Sequence, residues 1–128
     1  MNRKVFILTN DNVLFLLLNA YIRAQSSAIE CQKITSHHNF DFSEVLTSSI
    51  ILVDGKMTLI SPLELIYKLR YEMKITSPVW LLSEINTSAY IEKAIQLGAN
   101  KIIKKPFDPI DLAYETAFFV LKQKPSSN

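Results

Sequence analysis

Three residue types that together can handle a phosphoryl group stand at the ends of strand-like runs: a carboxylate at Asp54, a hydroxyl at Ser83 and an amine at Lys105. Asp54 closes Ile50-Ile51-Leu52-Val53, Ser83 closes Val79 to Leu82, and Lys105 closes Lys101 to Lys104. A carboxylate can attack phosphorus as a nucleophile. An ammonium group and a divalent metal can neutralise the phosphoryl oxygens, and a hydroxyl can hydrogen-bond the new phosphate. That is the inventory of an aspartyl-phosphate site. Each residue alone has an ordinary reading: aspartate starts turns, serine caps or turns, and a loop lysine is solvated. Their order at the ends of successive runs carries the inference. The first run, Val5 to Leu8, ends in three further polar residues, Thr9, Asn10 and Asp11.

These residues meet only if the runs are strands of one parallel sheet. Ile50 to Val53, rich in β-branched residues, reads as a buried strand. Val5 to Leu8, Ala28 to Ile34 (weakly alternating, edge-like), Val79 to Leu82 and Lys101 to Lys104 complete a set of five. Asp11 is the expected N-cap of a helix from Asn12 to about Ala24, with Leu14, Leu17, Leu18 and Tyr21 facing the sheet and Phe15 and Leu16 off that stripe. Asp41 to Thr47 reads as a short second helix with Phe42, Val45 and Leu46 inward. Ser61-Pro62-Leu63-Glu64 offers an N-cap, a helix-starting proline and a capping box, with Leu63, Ile66, Leu69 and Met73 inward. Thr87 or Ser88 caps a fourth helix carrying Tyr90, Ile91, Ala94, Ile95 and Leu97, with Gly98 past its end. Asp108-Pro109-Ile110-Asp111 opens a fifth, which runs to about Leu121 and holds Phe119 and Val120 in the core. Five such alternations predict an α/β, doubly wound (βα)5 three-layer sandwich, flavodoxin-like, whose strand ends converge on one edge.

Composition narrows the function. A chain of 128 residues, 48% hydrophobic and 20% charged, is one domain with a real core. A net charge of +2 without a basic stripe argues against nucleic acid. One cysteine, Cys31, excludes an internal disulfide and a multi-cysteine zinc site, suits a reducing cytoplasm, and reads as a small buried hydrophobe. The two glycines, Gly55 and Gly98, are too few for a Gly-rich phosphate cradle. Val13 to Leu18 is apolar but far short of the ~18 residues that a membrane span needs, and no signal peptide is evident. His37 and His38, adjacent in a polar loop, read as solvated.

The chain resembles the receiver domain of bacterial response regulators over about residues 3–122. The match rests on Val5 to Asn12, Ile51-Leu52-Val53-Asp54, Pro62-Leu63-Glu64-Leu65, Pro78 to Ser83, Ile91 to Ala99, and most specifically Lys105-Pro106-Phe107. The resemblance implies a sheet of order 2-1-3-4-5. It implies Asp54 as phosphoacceptor, Ser83 and Lys105 as phosphate contacts, and Pro106 as a cis-proline candidate. It also implies a magnesium site formed by Asp54, the backbone carbonyl of Lys56 and an acidic pair after strand one. That pair falls on Thr9 and Asn10, so magnesium is expected to bind weakly or not at all, through Asp54, Asn10 and Lys56, or through Asp11 if the register shifts by one. Thr58 and Ser61-Pro62 also depart from the family pattern after the acceptor, and Ile102 replaces its strand-five switch aromatic.

The partners implied are a histidine kinase or phosphotransfer protein, docking on the first helix at Phe15 and Leu16, and a homodimer through the face made by the fourth helix, strand five and the fifth helix, with Tyr90, Tyr114 and Phe118 as contacts. Residues 1–122 are expected to form the receiver domain, and 123–128 a disordered tail or the start of a linker. The expected role is a cytoplasmic signalling module, not an enzyme beyond catalysing its own phosphorylation and dephosphorylation, with neither nucleic acid nor membrane as its partner. The alternatives are a pseudo-receiver, the same fold used as a phosphorylation-independent binding or dimerisation module, and a flavodoxin-type enzyme. The second is disfavoured because the loop from Thr9 to Val13 lacks the small residues that wrap a flavin phosphate.

Overall fold

The computed structural model describes residues 3–35, 45–57 and 60–123. Five parallel strands form one sheet: β1 (Arg3–Leu8), β2 (Ile29–Ile34), β3 (Ile50–Asp54), β4 (Val79–Ser83) and β5 (Lys101–Lys104), in the order 2-1-3-4-5. The helices among the described residues are α1 (Asn12–Gln25), α2 (Pro62–Tyr67), α3 (Ser88–Leu97) and α4 (Pro109–Lys122). The expected fold class and strand order are therefore observed. Phe42, the His37-His38 pair, Thr58 and residues 124–128 lie outside the described residues.

Strand periodicity of two builds the layers. Phe6, Leu8, Ile51, Val53, Val79 and Leu81 face one side and pack with Leu65, Ile66 and Leu69 and with Ala94 of α3. Val5, Ile7, Ile50, Leu52, Trp80 and Leu82 face the other and pack with Leu14, Leu18 and Ile22 of α1 and Leu112, Ala113, Ala117 and Val120 of α4. Full burial of each such aliphatic side chain contributes roughly 1.5–3 kcal/mol. β3 is buried at all five positions because helices cover both of its faces.

Several local expectations are corrected. The buried stripe of α1 is Leu14, Leu18 and Ile22, and Leu17 is exposed, because a stripe at i, i+4, i+8 turns Leu17 away from the sheet. Leu46, expected inward, is exposed, whereas Val45 is buried. Ser61 starts α2, but its side chain makes no capping bond, so the capping box does not form; its carbonyl accepts from Leu65 N instead. The predicted continuous helix gives way after Tyr67 to a π-helical turn, Lys68–Glu72, and Leu63 and Met73 are only partly buried. Phe119 is half-buried beside Trp80, with ring centroids 5.1 Å apart, whereas Val120 is fully buried.

One long-range clasp has no sequence signature. Arg70, in the π-helical turn, donates to Ile75 O (2.9 Å), Ser77 O (2.7 Å), Gly98 O (2.8 and 3.0 Å) and Asn100 Oδ1 (2.8 Å). The guanidinium fork thereby ties the strand approach to the C-terminus of α3. Gly98 has φ +125°, and a Cβ there would lie 2.4 Å from Arg70 Cγ, so both backbone and space require glycine.

Candidate functional site

The register of the sheet decides which strand ends meet. Leu8 pairs with Val53, so Thr9 comes level with Asp54; Asp54 pairs with Leu82, and Ser83 with Lys104. Alternation then sorts the side chains. Thr9 continues the Val5, Ile7 side and Asp54 the Ile50, Leu52 side, both facing α1 and α4. Lys105 continues the side of Ile103, which packs on that same cluster. Ser83 continues Val79 and Leu81, on the face of α2 and α3.

The result is a compact cluster around Asp54, which is 2% exposed. Its Oδ2 accepts from the Thr9 hydroxyl at 2.6 Å. Its Oδ1 accepts from the Lys105 ammonium group, an ion pair in direct contact, and from Lys56 N at 3.1 Å. Burial pushes the Asp54 carboxyl upward, but the bonds from Lys105, Thr9 and the Lys56 N–H, with the Lys105 charge, outweigh it and hold the group below its ordinary range. Asp54 is therefore an ionised, buried carboxylate. The Lys105–Pro106 peptide is cis. Gly55 donates to Leu82 O at 2.7 Å, and a Cβ on Gly55 would sit 2.7 Å from that oxygen, so glycine is what lets β3 end tightly against β4.

Ser83 is not brought to Asp54. Its Oγ lies 3.0 Å from both N and O of Ile85, in the turn leading to α3. Burial raises the nearby Tyr90 phenol, only partly opposed by a hydrogen bond with Ser83. Strand alternation is the cause, since a residue one position beyond the level of Asp54 faces the opposite way.

Asp11 does not enter the site either. Its Oδ1 accepts from Leu14 N at 3.0 Å as the N-cap of α1, so the shifted register is not realised. Asp11 instead lines an open cleft of about 510 Å³ beside the site, with Leu14, Lys56, Glu84, Lys105, Pro106, Phe107 and Pro109. Lys56 and Glu84 form an exposed ion pair across it at 2.9 Å. Asn10 is half-buried next to the cluster.

A magnesium ion wants several hard oxygen ligands and usually at least one carboxylate free to bind it. Here the one carboxylate inside the site is already neutralised by Lys105 and bonded at both oxygens. Among the described residues, no three His, Cys, Asp or Glu side chains gather to hold a metal. The donor set as it stands does not fit magnesium.

Of the surface candidates, Leu16, Tyr114 and Phe118 are exposed, at 63%, 47% and 65%. Phe15 is half-buried against the core, with Lys33 Nζ 6.0 Å from its ring centre, and Tyr90 is also half-buried. Sequence reasoning missed the Thr9 hydroxyl as a partner of Asp54. The available signal was that a residue of hydrogen-bonding type ends the neighbouring strand.

Comparison with known proteins gives a consistent picture. The profile described as "Response regulator receiver domain" matches residues 5–116. The transcriptional regulatory protein CrdR of Helicobacter pylori is 24% identical over 108 residues, which cover 84% of this chain and 50% of that protein. The chain thus spans about half the length of this curated relative. Among solved structures, the signal receiver domain of a LuxO repressor protein from Vibrio parahaemolyticus superposes with a TM-score of 0.78 at 17% identity, covering 95% of this chain and 92% of that one. A CheY-like receiver domain protein from Methanospirillum hungatei gives 0.75 at 14% identity, covering 95% and 96%.

Proposed function

The chain belongs to the response regulator receiver domain family, and on that premise we propose that it accepts a phosphoryl group on Asp54 from a histidine kinase or phosphotransfer protein and signals through protein contacts. Receiver domains are signalling modules of two-component systems that work with such kinases and phosphotransfer proteins. The observation that supports phosphoryl acceptance best is the ionised Asp54 carboxylate with the Lys105 ammonium against it at the cleft edge. A carboxylate oxygen attacks the donor phosphorus and forms an O–P bond. The bond from phosphorus to the donor imidazole nitrogen breaks, and its electron pair stays on the imidazole. Lys105, already in contact with Asp54, is placed to neutralise a phosphoryl oxygen. Ser83 would join as a phosphate contact only by leaving its bonds to Ile85. Residues 1–122 are taken as the receiver unit, with Leu16 as the exposed member of the kinase-docking pair, and Tyr114 and Phe118 as the exposed members of the dimer face. Any catalysis is confined to the domain's own phosphorylation and dephosphorylation.

Receiver domains typically bind magnesium at an acidic pocket, whereas the donor set here does not fit that ion. A second reading has one observation in its favour. Thr9 stands where a carboxylate is expected and hydrogen-bonds Asp54, which suits a pseudo-receiver that binds partners without phosphorylation. The two readings separate on intact mass after incubation with a small phosphodonor, with and without magnesium, using Asp54→Asn as control. A gain of about 80 Da, one phosphoryl group, absent from the control, is expected. No gain under either condition, nor with a competent kinase, refutes phosphoryl acceptance and leaves the pseudo-receiver.

A further inference from the structure

Thr9 is fully buried, and its hydroxyl is engaged in both directions. It accepts from Asp11 N at 3.0 Å and donates to Asp54 Oδ2 at 2.6 Å. Lys105 and the Lys56 N–H occupy Oδ1. The carboxylate therefore has donors on both oxygens, one of them fully charged, and needs no further cation for its charge to be balanced. Asp11 accepts from Leu14 N and lies at the rim rather than in the cluster.

We propose that Thr9 is the specificity-determining residue that makes the Asp54 site independent of a divalent cation: its hydroxyl, with the Lys105 ammonium, takes up the carboxylate oxygens that a cation would otherwise claim. The significance for phosphorylation rests on Asp54 being the acceptor; the cation behaviour itself does not. The converse follows from like-charge repulsion. A carboxylate in place of the Thr9 hydroxyl would bring two anionic groups into direct contact, which is tolerated only with a bridging proton or cation.

The test uses the full chain, with magnesium as the probe. Thermal unfolding of wild type, Thr9→Ser, Thr9→Val and Thr9→Asp is followed by far-UV circular dichroism in chelator and in about 10 mM magnesium chloride. Wild type and Thr9→Ser are expected to keep their midpoints on adding magnesium, whereas Thr9→Val, which frees Asp54 Oδ2, is expected to gain a smaller rise than Thr9→Asp. Thr9→Asp is expected to melt below wild type in chelator and to gain about 4 °C in magnesium, the rise that a dissociation constant of about 1 mM gives at that concentration. Recovery of Thr9→Asp only in magnesium supports the proposal equally. A magnesium-induced rise in wild type as large as that in Thr9→Asp overturns it, as does a folded Thr9→Asp indifferent to magnesium. Should Thr9→Asp fold in neither condition, calorimetric titration of wild type with magnesium decides: binding heat at millimolar affinity overturns the proposal, and its absence supports it. A failed mass-adduct experiment leaves this result untouched, and cation stabilisation of wild type overturns it whatever the adduct shows.

Discussion

Replacing Lys105 with methionine isolates the electrostatic centre of the site. Lys105 is 13% exposed and Asp54 2%, so the pair sits at the inner wall of the cleft rather than in bulk water. At about 3 Å and an effective dielectric constant of about 20, unit charges attract by roughly 5 kcal/mol. Desolvation of both groups offsets part of this, yet removing one partner strands the other charge, and such removals cost about 3–5 kcal/mol. Asp54 keeps its bonds from Thr9 and Lys56 and borders an open cleft, so the lower end, about 3 kcal/mol at pH 7, is expected. The pH dependence has a definite sign. The folded-state pKa of Asp54 is lowered, so the stabilisation it brings is present above the unfolded carboxyl value of about 3.9 and is lost as pH falls through the folded value. The deficit of Lys105→Met should therefore be full at pH 7 and shrink as Asp54 takes up its proton. Urea unfolding by far-UV circular dichroism at pH 7 and at about pH 2.5, below the unfolded carboxyl value, for Lys105→Met, Asp54→Asn and the double variant, measures both the loss and the coupling. A loss under about 0.5 kcal/mol at pH 7, or a deficit that does not change with pH, would refute the picture of a buried, ion-paired carboxylate.

Arg70→Ala should cost about 3 kcal/mol in the same assay, because four acceptors lose a charged donor at once, and Arg70→Lys should recover less than half, since an ammonium cannot span the fork; equal stability of wild type and Arg70→Ala would show the clasp to be idle. Burial pushes the Cys31 thiol up to about 11, only partly opposed by Arg23. Alkylation by iodoacetamide at neutral pH should accordingly run about two orders of magnitude slower in the folded protein than in urea, and rise about tenfold per pH unit while the fold persists. Equal rates in the two states would contradict that placement.

Much of the frame was legible because its signals are local. The strand runs, the N-caps Asp11, Thr87 and Asp108, and Gly98 at the end of α3 act within a few residues of where they stand. Asp54 and Lys105 were legible as strand-end residues, but which neighbours they meet depends on register, and a shift of one residue reverses the face of a side chain. Ser83 is a strand-end residue of the same kind, yet its hydroxyl is bonded to Ile85 in its own turn. Thr9 was read only as a lost carboxylate, although a buried hydroxyl keeps the capacity to donate. The reach of Arg70 to Gly98 is a contact between residues 28 apart in sequence, which no window of local pattern contains.

Trp80 gives the molecule an optical property that follows from its place in the sheet. It is the sole tryptophan, 4% exposed, facing α1 and α4, with the Phe119 ring on one side and Lys101 Nζ 4.9 Å from its ring centre. Its emission thus reports the seam between β4, β5 and α4. Local events at the Asp54 carboxylate leave that seam's neighbours in place and should be nearly dark, whereas any displacement of α4 removes a ring and shifts a cation beside the indole. Intrinsic fluorescence can therefore separate chemistry confined to the strand ends from a rearrangement that reaches the back of the domain.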